Sequence, residues 1–535
     1  MSDTTCTTDA DTDRTDRTGR TASTDRTSRA DRTHTAATTG APTTGVPTTA
    51  NATTATATTA ASATSAANVT LVMRILTLST FVVILNETIM VNAIPRLMRD
   101  FAVPATSAQW LSTAFMLTMA VVIPATGWYL QRVTTRTAYA LAMGLFLAGT
   151  AAATLAPSFA VLLVARVVQA SGTAVMMPLL MTTMMTLVPP AERGKVMGNV
   201  TLVMSVAPAL GPAVSGLVLE LGSWRLIFAV VLPIAGVVGT VGLRALVNIG
   251  EPTSTRIDLP SVALSAIGFG ALVCGLSGLG EGARATHTIP PAVVTVVGVL
   301  ALVAFVRRQV VLQRAGGALL DLRTLTFRPF AVSLGVMCLA FMAMMGAMIL
   351  LPLYLQDVLH LSTLMTGLLL MPGGLVMGLL GPVVGRAYDR VGAARLVVPG
   401  AVVMAATLAL FTRVGTDTSP WLLLVDYVAL MASLGLVFTP VFTSGLSVLP
   451  PHLYAHGSAV LGSLQQVAAA AGTAIVVSVM AGRAATATAG GSAPLDALST
   501  GVRWGFGVGA CLALAVVAVS LAVRTPAGEH APAHH

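Results

Sequence analysis

Residues 160–184 read AVLLVARVVQASGTAVMMPLLMTTM and hold a single charged side chain, Arg166. A helix needs about 20 consecutive apolar residues to cross the hydrocarbon core of a bilayer. Proline and glycine inside such a run do not argue against a helix in a membrane. The stretch therefore predicts a transmembrane helix that carries one charge within the bilayer.

Thirteen further apolar runs of similar length lie on either side of this one. The fold class predicted is therefore an all-helical integral membrane protein with fourteen transmembrane helices. The fourteen predicted helices cover residues 71–93, 108–130, 137–155, 160–184, 197–219, 225–246, 259–280, 289–306, 329–353, 363–385, 396–412, 420–441, 457–480 and 502–523.

The composition of the 535 residues supports this fold class, because 55% are hydrophobic and only 10% are charged. Soluble domains carry about 25% charged residues, so an ordinary water-soluble enzyme is excluded. The single lysine, Lys195, precedes Val196, and the chain therefore contains no Gly-Lys-Ser/Thr phosphate-binding loop. The cysteines and histidines show no metal-ligand spacing, so neither a metal nor a cofactor is predicted.

The distribution of charge predicts the partner and the orientation. The net charge of +9 comes from arginines scattered between apolar runs, which favours a lipid bilayer as partner and not a nucleic acid. If the N-terminus is cytoplasmic, the inner loops hold about twice as many basic residues as the outer loops. We therefore predict a multi-pass protein of the cytoplasmic membrane with both termini in the cytoplasm. The five tryptophans fall near helix ends, where we expect them at the membrane interface.

The two ends of the chain are predicted to lie outside the membrane. Residues 1–68 are rich in Thr and Ala, with repeated Asp-Arg-Thr triplets and no apolar periodicity. Such a composition is typical of a disordered segment, here a cytoplasmic tail. Residues 526–535 form a second, short cytoplasmic tail.

Three charged residues inside the predicted helices are candidates for function, because charge is costly there. Glu87 and Arg166 fall in the outer halves of the first and fourth helices, so an ion pair between them is geometrically possible. Burial and a neighbouring arginine shift the proton affinity of a carboxyl group in opposite directions, so Glu87 could load and release a proton. A fixed structural pair is the alternative. Asp426, in the twelfth helix, is either a second proton or cation site or an interfacial residue.

Small residues in one helix predict close helix packing, and methionines in two others suggest an adaptable apolar pocket. Ala207, Gly211 and Ser215 are four residues apart and share one face of the fifth helix, which lets a neighbouring helix approach closely. Methionines concentrate in the fourth and ninth helices. Flexible methionine suits a promiscuous apolar pocket, and core filling is the other interpretation.

A short pattern repeats at two cytoplasmic helix ends. Gly127, Gln131 and Arg132 follow the second helix, and Gly385, Asp389 and Arg390 follow the tenth with the same spacing. Two matched halves are typical of secondary transporters. The predicted domains are a six-helix bundle at 69–248, two additional helices at 249–310 and a second six-helix bundle at 311–525.

Residues 70–525 resemble the major facilitator superfamily, specifically its fourteen-helix drug:proton antiporter branch. Residues 85–95 are similar to the branch's first-helix signature, although Asn86 stands where that signature usually has Asp and Glu87 follows it. Residues 127–137 and 385–395 resemble the loop motif Gly-x-x-x-Asp-Arg-x-Gly-x-Arg, and the second copy is better preserved. Residues 166–172 and 211–216 resemble the motifs Arg-x-x-Gln-Gly-x-Gly and Gly-Pro-x-x-Gly-Gly, the latter linked to exporters.

The resemblance implies a monomeric, non-enzymatic transporter in which a central pair of helices joins two bundles, with the substrate site between the bundles. It implies proton-coupled export of hydrophobic small molecules or drugs by alternating access, with protons and a small molecule as partners. We expect proton coupling at Glu87, Arg166 and Asp426. We expect the substrate pathway to include Asn86, Thr88, Asn92, Gln169, Met177, Met181, Met345 and Gln465. Gating and conformational roles are expected at Gly127, Arg132, Arg136, Gly211, Pro212, Gly216, Gly385, Asp389 and Arg390.

Other functions are also compatible with a membrane protein of this kind. A dedicated exporter of one metabolite or of a self-made antibiotic would share these features. A proton-coupled importer is disfavoured by the motif at 211–216. A membrane-embedded enzyme is disfavoured because the short loops hold no nucleophile–base or metal constellation. A structural or sensor role would predict no flux in vesicles.

Overall fold

The computed structural model describes residues 50–246, 248, 258–281, 289–315 and 317–523. The chain comprises two units, residues 1–60 and 61–535, and the membrane-spanning segments lie within the second. Within the described ranges every regular element is helical, and fourteen helices are long and apolar enough to cross a membrane. The predicted fold class and helix number are therefore confirmed. The predicted tails at 1–68 and 526–535 lie wholly or largely outside the described residues.

The fifteen α-helices follow the apolar runs in order, with one short helix, α2, outside them. Their bounds are α1 Ala50–Ile89, α2 Ile94–Asp100, α3 Ala105–Tyr129, α4 Thr135–Thr154, α5 Phe159–Leu187, α6 Arg193–Glu220, α7 Arg225–Ala245, α8 Leu259–Glu281, α9 Pro291–Leu312, α10 Arg328–Leu353, α11 Thr363–Val391, α12 Ala394–Phe411, α13 Pro420–Ser447, α14 Tyr454–Ala489 and α15 Pro494–Ser520.

Several helix ends differ from the predicted ones. The first spanning helix ends at Ile89, and a 3-10 turn at Met90–Ala93 leads into α2. Pro95 lies in the first turn of α2, where its missing N–H is tolerated, so a new helix starts at this point. The α10 helix continues into a π-helical turn at Tyr354–Val358. This turn begins two residues after Pro352, whose ring and missing N–H disturb the regular hydrogen-bond ladder.

α6 and α11 pack backbone to backbone over much of their length. A Cβ atom at Gly198 would collide with the backbone of Gly381, and one at Gly385 would collide with the backbone of Gly194. Helices in lipid associate by close van der Waals packing, which small residues permit. The glycines therefore set the distance between these two helices.

α8 and α9, the predicted additional pair, are tied to the chain that leads into α10. Gln309 is fully buried, and its Oε1 accepts the N–H groups of Leu319 and Leu320 at 2.8 and 3.2 Å. Its Nε2 donates to Ser261 on α8 at 2.7 Å. One amide side chain therefore joins α9, α8 and the connection to α10.

The tryptophans differ in exposure. Trp110, Trp421 and Trp504 are exposed, whereas Trp224 is fully buried. Trp224 is the N-cap residue of α7, so it lies at a helix end as expected. Its ring packs against Phe101 at 5.4 Å between centroids, which accounts for its burial because aromatic pairs favour such close contact.

Candidate functional site

Arg166 on α5 contacts Gln169 of the same helix and Phe115 of α3, and Gln169 connects it to Thr150 of α4. It is 1% exposed and donates to Gln169 Oε1 at 2.6 Å, and its Cζ lies 4.1 Å from the ring centroid of Phe115 on α3. Gln169 Nε2 donates in turn to Thr150 Oγ1 on α4 at 2.7 Å. A buried charge is tolerated only when it is paired or hydrogen-bonded, and these three groups provide part of that compensation.

Glu87 lies near the end of α1 and interacts electrostatically with Arg166. Among the described residues, no hydrogen bond and no ion pair within 4 Å joins the two side chains. The structure therefore brings the predicted pair into electrostatic range without direct contact. The hydrogen bond from Arg166 to Gln169 does not involve Glu87.

The residues on either side of Glu87 in the sequence, Asn86 and Thr88, are also polar. Asn86 is fully buried, and neither polar atom of its amide has a hydrogen-bond partner in the described part of the chain. Thr88 Oγ1 donates to Leu85 O at 2.9 Å and to Ala207 O on α6 at 3.4 Å. Buried amides are nearly always hydrogen-bonded, so Asn86 is a candidate for contact with a ligand. The Asn92 side chain lies outside the described residues.

Asp426 occupies a different setting on α13. It is 8% exposed, and no hydrogen bond or ion pair within the described ranges links it to Glu87 or Arg166. The neighbouring Tyr427 packs against Gly373 of α11. The two intramembrane acids therefore have separate surroundings, and only Glu87 has a basic partner in range.

The other residues expected along the pathway differ in burial. Met181 is 3% exposed and packs into the hydrophobic core. Met177 also packs against the core but is half-buried. Met345 and Gln465 are half-buried as well. The core-filling interpretation therefore suits Met181, whereas Met345 and Gln465 retain exposed surface.

Asp389, at the end of α11, caps the start of α6. Its Oδ1 accepts the backbone N–H of Gly194 and its Oδ2 accepts that of Lys195, both at 2.8 Å. A carboxylate is favourable at the N-terminus of a helix because it satisfies unpaired N–H groups and complements the helix dipole. Together with the close approach at Gly385, this cap joins the two predicted six-helix bundles. Arg390 beside it is exposed.

The first copy of the repeated motif makes different contacts. Gln131 Nε2 donates to His452 O at 2.6 Å, and the Arg132 guanidinium stacks 4.1 Å above the Trp128 ring. Gly127 lies where a Cβ atom would come within 2.9 Å of His456 Nδ1 on α14. The backbone N–H of Arg136 donates to Asn248 at 3.4 Å. The first copy therefore joins α3 to α14 through an amide and a glycine.

The motif at 211–216 on α6 is close-packed at one glycine and open at the other. Ala207, Gly211 and Ser215 are all buried, as their shared face predicts. A Cβ atom at Gly211 would collide with Thr88 of α1, whereas one at Gly216 would meet no atom within 4 Å. The side chain of Pro212 lies outside the described residues. Close approach of α1 to α6 therefore depends on Gly211.

Some contacts were not predicted from the sequence. Thr150 and Phe115 complete the surroundings of Arg166, and Thr201 on α6 shares a buried 2.8 Å hydrogen bond with Thr439 on α13. The sequence signal for each is a single polar or aromatic residue in an apolar run, which is common in membrane helices. Only the fold shows which of these residues face each other.

Known proteins resemble the chain in both sequence and fold. The family model of the Major Facilitator Superfamily matches residues 76–473. The uncharacterized MFS-type transporter YcnB of Bacillus subtilis is 38% identical over 86% of this chain and 96% of its own length. The lincomycin resistance protein LmrB of Listeria monocytogenes is 36% identical over 83% and 94% of the two chains. The solved structure of the proton:xylose symporter XylE has a TM-score of 0.58 at 16% identity, covering 86% of this chain and 97% of that one. This chain therefore belongs to the major facilitator superfamily of membrane transporters.

Proposed function

We propose that the chain is a proton-coupled exporter of hydrophobic small molecules, including drugs, in the cytoplasmic membrane. The observation that carries the proposal is the electrostatic interaction of Glu87 on α1 with the buried Arg166 on α5, together with the unsatisfied amide of the adjacent Asn86. Relatives at 36% and 30% identity, named as lincomycin resistance and multidrug resistance proteins, support export of drugs.

The proton step follows from the charge of Glu87. In an outward-open state Glu87 takes up a proton and its attraction to Arg166 disappears, which favours rearrangement toward the inward-open state. Release of the proton to the cytoplasm restores the attraction and lets a cationic or polar substrate group bind near Asn86. One charge moving through 100 mV gains about 2.3 kcal/mol, enough to drive export against a gradient. Asp426 is the second candidate for a proton or cation site.

The gating step rests on contacts between the proposed bundles, 69–248 and 311–525, which the helices at 249–310 connect. With both termini in the cytoplasm, the Asp389 cap and the contacts at Gly127 lie on the cytoplasmic side. We infer that these contacts close that side and break when the transporter opens inward. A single chain provides both bundles, so a monomer in the lipid bilayer suffices.

Transport in inverted membrane vesicles tests the proposed function. Vesicles with an imposed proton gradient receive ethidium or lincomycin, and the gradient is followed with a pH-sensitive dye. We expect each active substrate to dissipate the gradient only in vesicles that contain the chain, because export is exchanged for protons. Substrate accumulation that persists unchanged after an uncoupler has removed the gradient would contradict proton coupling.

A further inference from the structure

A cavity of about 520 Å³ opens at the end of the molecule where α3 and α5 end and α14 begins. Its walls come from the end of α3 and the following loop, the end of α5, the connection at 313–323 and the start of α14. Pockets of 300–1,000 Å³ are typical of sites for small organic ligands. Neither Glu87 nor Arg166 lines the cavity, so it is separate from the proposed proton pathway.

The charged side chains of this cavity give it an excess of positive charge. Arg132 and Arg323 line it together with one carboxylate, Asp321. Asp321 Oδ1 accepts the backbone N–H of Arg323 at 2.9 Å, and Arg323 Nη2 donates to Gln313 O at 2.5 Å. The Cζ atom of Arg132 lies 4.1 Å from the Trp128 ring centroid. Two guanidinium groups therefore face one carboxylate. The electrostatics therefore favour an anion.

Four residues on the cavity wall each hold a buried side-chain polar atom that has no hydrogen-bond partner in the described part of the chain. These atoms are Trp128 Nε1, Arg132 Nε, Thr182 Oγ1 and Gln313 Oε1. The indole, guanidinium and hydroxyl groups can each donate a hydrogen bond, and the amide oxygen can accept one. Buried polar groups are nearly always satisfied, so their concentration here indicates a ligand rich in acceptor oxygens.

Apolar groups complete the lining and define the rest of the ligand. Leu179, Val133 and the Trp128 ring lie on the cavity wall beside the polar atoms. A bare inorganic ion would leave this apolar surface uncovered. An organic body attached to the anionic group would cover it and gain hydrophobic free energy.

We propose that this cavity binds an organic anion, a phosphate or carboxylate group carried on an apolar or aromatic body. Arg132, Arg323 and the Trp128 indole N–H hold the anionic group, and Gln313 accepts a hydroxyl hydrogen of the ligand. The walls come from both proposed bundles, so the bound anion ties them together and stabilises their present arrangement. Such a ligand has two possible sources, a phospholipid headgroup or a soluble cytoplasmic anion.

Calorimetric titration of the full chain in phosphatidylcholine nanodiscs tests the site. The probe is phenyl phosphate, compared with uncharged phenol and with cationic phenyltrimethylammonium. We expect phenyl phosphate to bind more tightly than both. Arg132→Gln and Arg323→Gln should each weaken it about tenfold, as expected for loss of a charge-assisted hydrogen bond. Arg314→Gln removes an exposed charge beside the cavity without altering its lining and should bind like the wild type.

Trp128→Phe is a milder variant that keeps an aromatic ring and removes the N–H donor. We expect this variant to bind phenyl phosphate several-fold more weakly than the wild type. Its melting temperature without ligand should be unchanged, so the site can still be tested if an arginine variant fails to fold.

Repeating the titration in nanodiscs that contain phosphatidylglycerol separates the two sources of the anion. If phosphatidylglycerol weakens the binding of phenyl phosphate, the natural ligand is a lipid headgroup. If phosphatidylglycerol has no effect on this binding, the natural ligand is a soluble anion.

The proposal is overturned if phenyl phosphate binds no more tightly than phenol. It is also overturned if Trp128→Phe and the folded arginine variants all bind phenyl phosphate as the wild type does. Both outcomes concern binding alone, so they are independent of whether the chain exchanges substrate for protons.

Discussion

At the scale of single residues, Arg166 is held in place by one group and receives its opposite charge from another. A direct ion pair would do both. The neutral chain from Gln169 to Thr150 holds the guanidinium in place, while Glu87 supplies charge without direct contact. If Glu87 takes up a proton, as proposed, Arg166 keeps its hydrogen bond to Gln169 and is not left wholly uncompensated in the bilayer.

Replacing Gln169 with leucine tests the anchoring role. Gln169→Leu removes the acceptor that compensates a buried guanidinium, a loss of about 1–3 kcal/mol. We expect a lower melting temperature in detergent and reduced transport in vesicles. Ser171→Ala on the same helix removes a hydroxyl that bonds only its own helix backbone and should leave both unchanged. Wild-type melting and transport in Gln169→Leu would show that the guanidinium is held in another way.

The sequence identified the main members of this site but not its full geometry. The sequence places Glu87 and Arg166 in the outer halves of their helices. Because a residue's position along a spanning helix fixes its depth in the bilayer, the two were expected to lie at similar depths. Phe115 and Thr150 could not be predicted, since helix rotation and neighbour identity depend on packing across the whole molecule. The unsatisfied amide of Asn86 likewise becomes visible only when all its neighbours are known.

At the scale of helices, the contact between α6 and α11 depends on small residues from both. The stripe on α6 that includes Gly211 was recognised from its spacing. That stripe faces Thr88 of α1, whereas the contact with α11 uses other residues of α6, namely Gly194, Gly198 and Ala209. The α11 side of the contact was recognised only at its end, as part of a repeated loop motif, and consists of Gly374, Gly378, Gly381 and Gly385. A pairwise contact needs both faces, and a single sequence does not show which stripes meet.

Gly385→Ala should disturb this contact far more than a matched substitution in α6. The new methyl group would collide with the backbone carbonyl of Gly194, and overpacking of this kind costs about 1–3 kcal/mol. We expect a lower melting temperature and slower transport. Gly216→Ala adds the same methyl group where no atom lies within 4 Å, so it should retain wild-type stability. Equal behaviour of the two variants would contradict the close packing of α6 on α11.

An ion pair at the start of α8, one of the two additional helices, predicts how the stability of the folded protein depends on pH. Asp258 accepts hydrogen bonds from Arg308 Nε and Nη2 at 2.7 and 2.8 Å. These bonds, assisted by Ser261, hold the pKa of the Asp258 carboxyl well below its usual range. Because the unfolded value is about 3.9, the pair stabilises the folded protein above that pH and loses this effect as pH falls toward the folded pKa.

Melting temperatures across pH check this expectation. At pH 7 we expect Asp258→Asn to melt below the wild type, and the difference should shrink as the pH falls below about 4. Asp357→Asn, which alters an exposed acid, serves as the matched control and should show little difference at either pH. A gap between Asp258→Asn and wild type that stays constant with pH would exclude this ion pair as its cause.

At the scale of the whole molecule, the number of helices followed from the apolar runs because bilayer thickness fixes the length of each span. The apolar runs could not predict the contacts that join the proposed bundles. These contacts include the Asp389 cap on α6 and the Thr201–Thr439 hydrogen bond. A transporter that alternates between states must make and break such contacts, so one sequence encodes more than one set of them.

Proton release coupled to substrate in inverted vesicles, compared between wild type and Glu87→Gln, tests the central claim most directly. Glu87→Gln keeps the shape of the side chain and removes its titratable group, while Glu220→Gln, at an exposed acid on α6, is the matched control. We expect substrate to dissipate the proton gradient in wild type and Glu220→Gln but not in Glu87→Gln. Full substrate-driven dissipation in Glu87→Gln would contradict the account and move the proton site to Asp426.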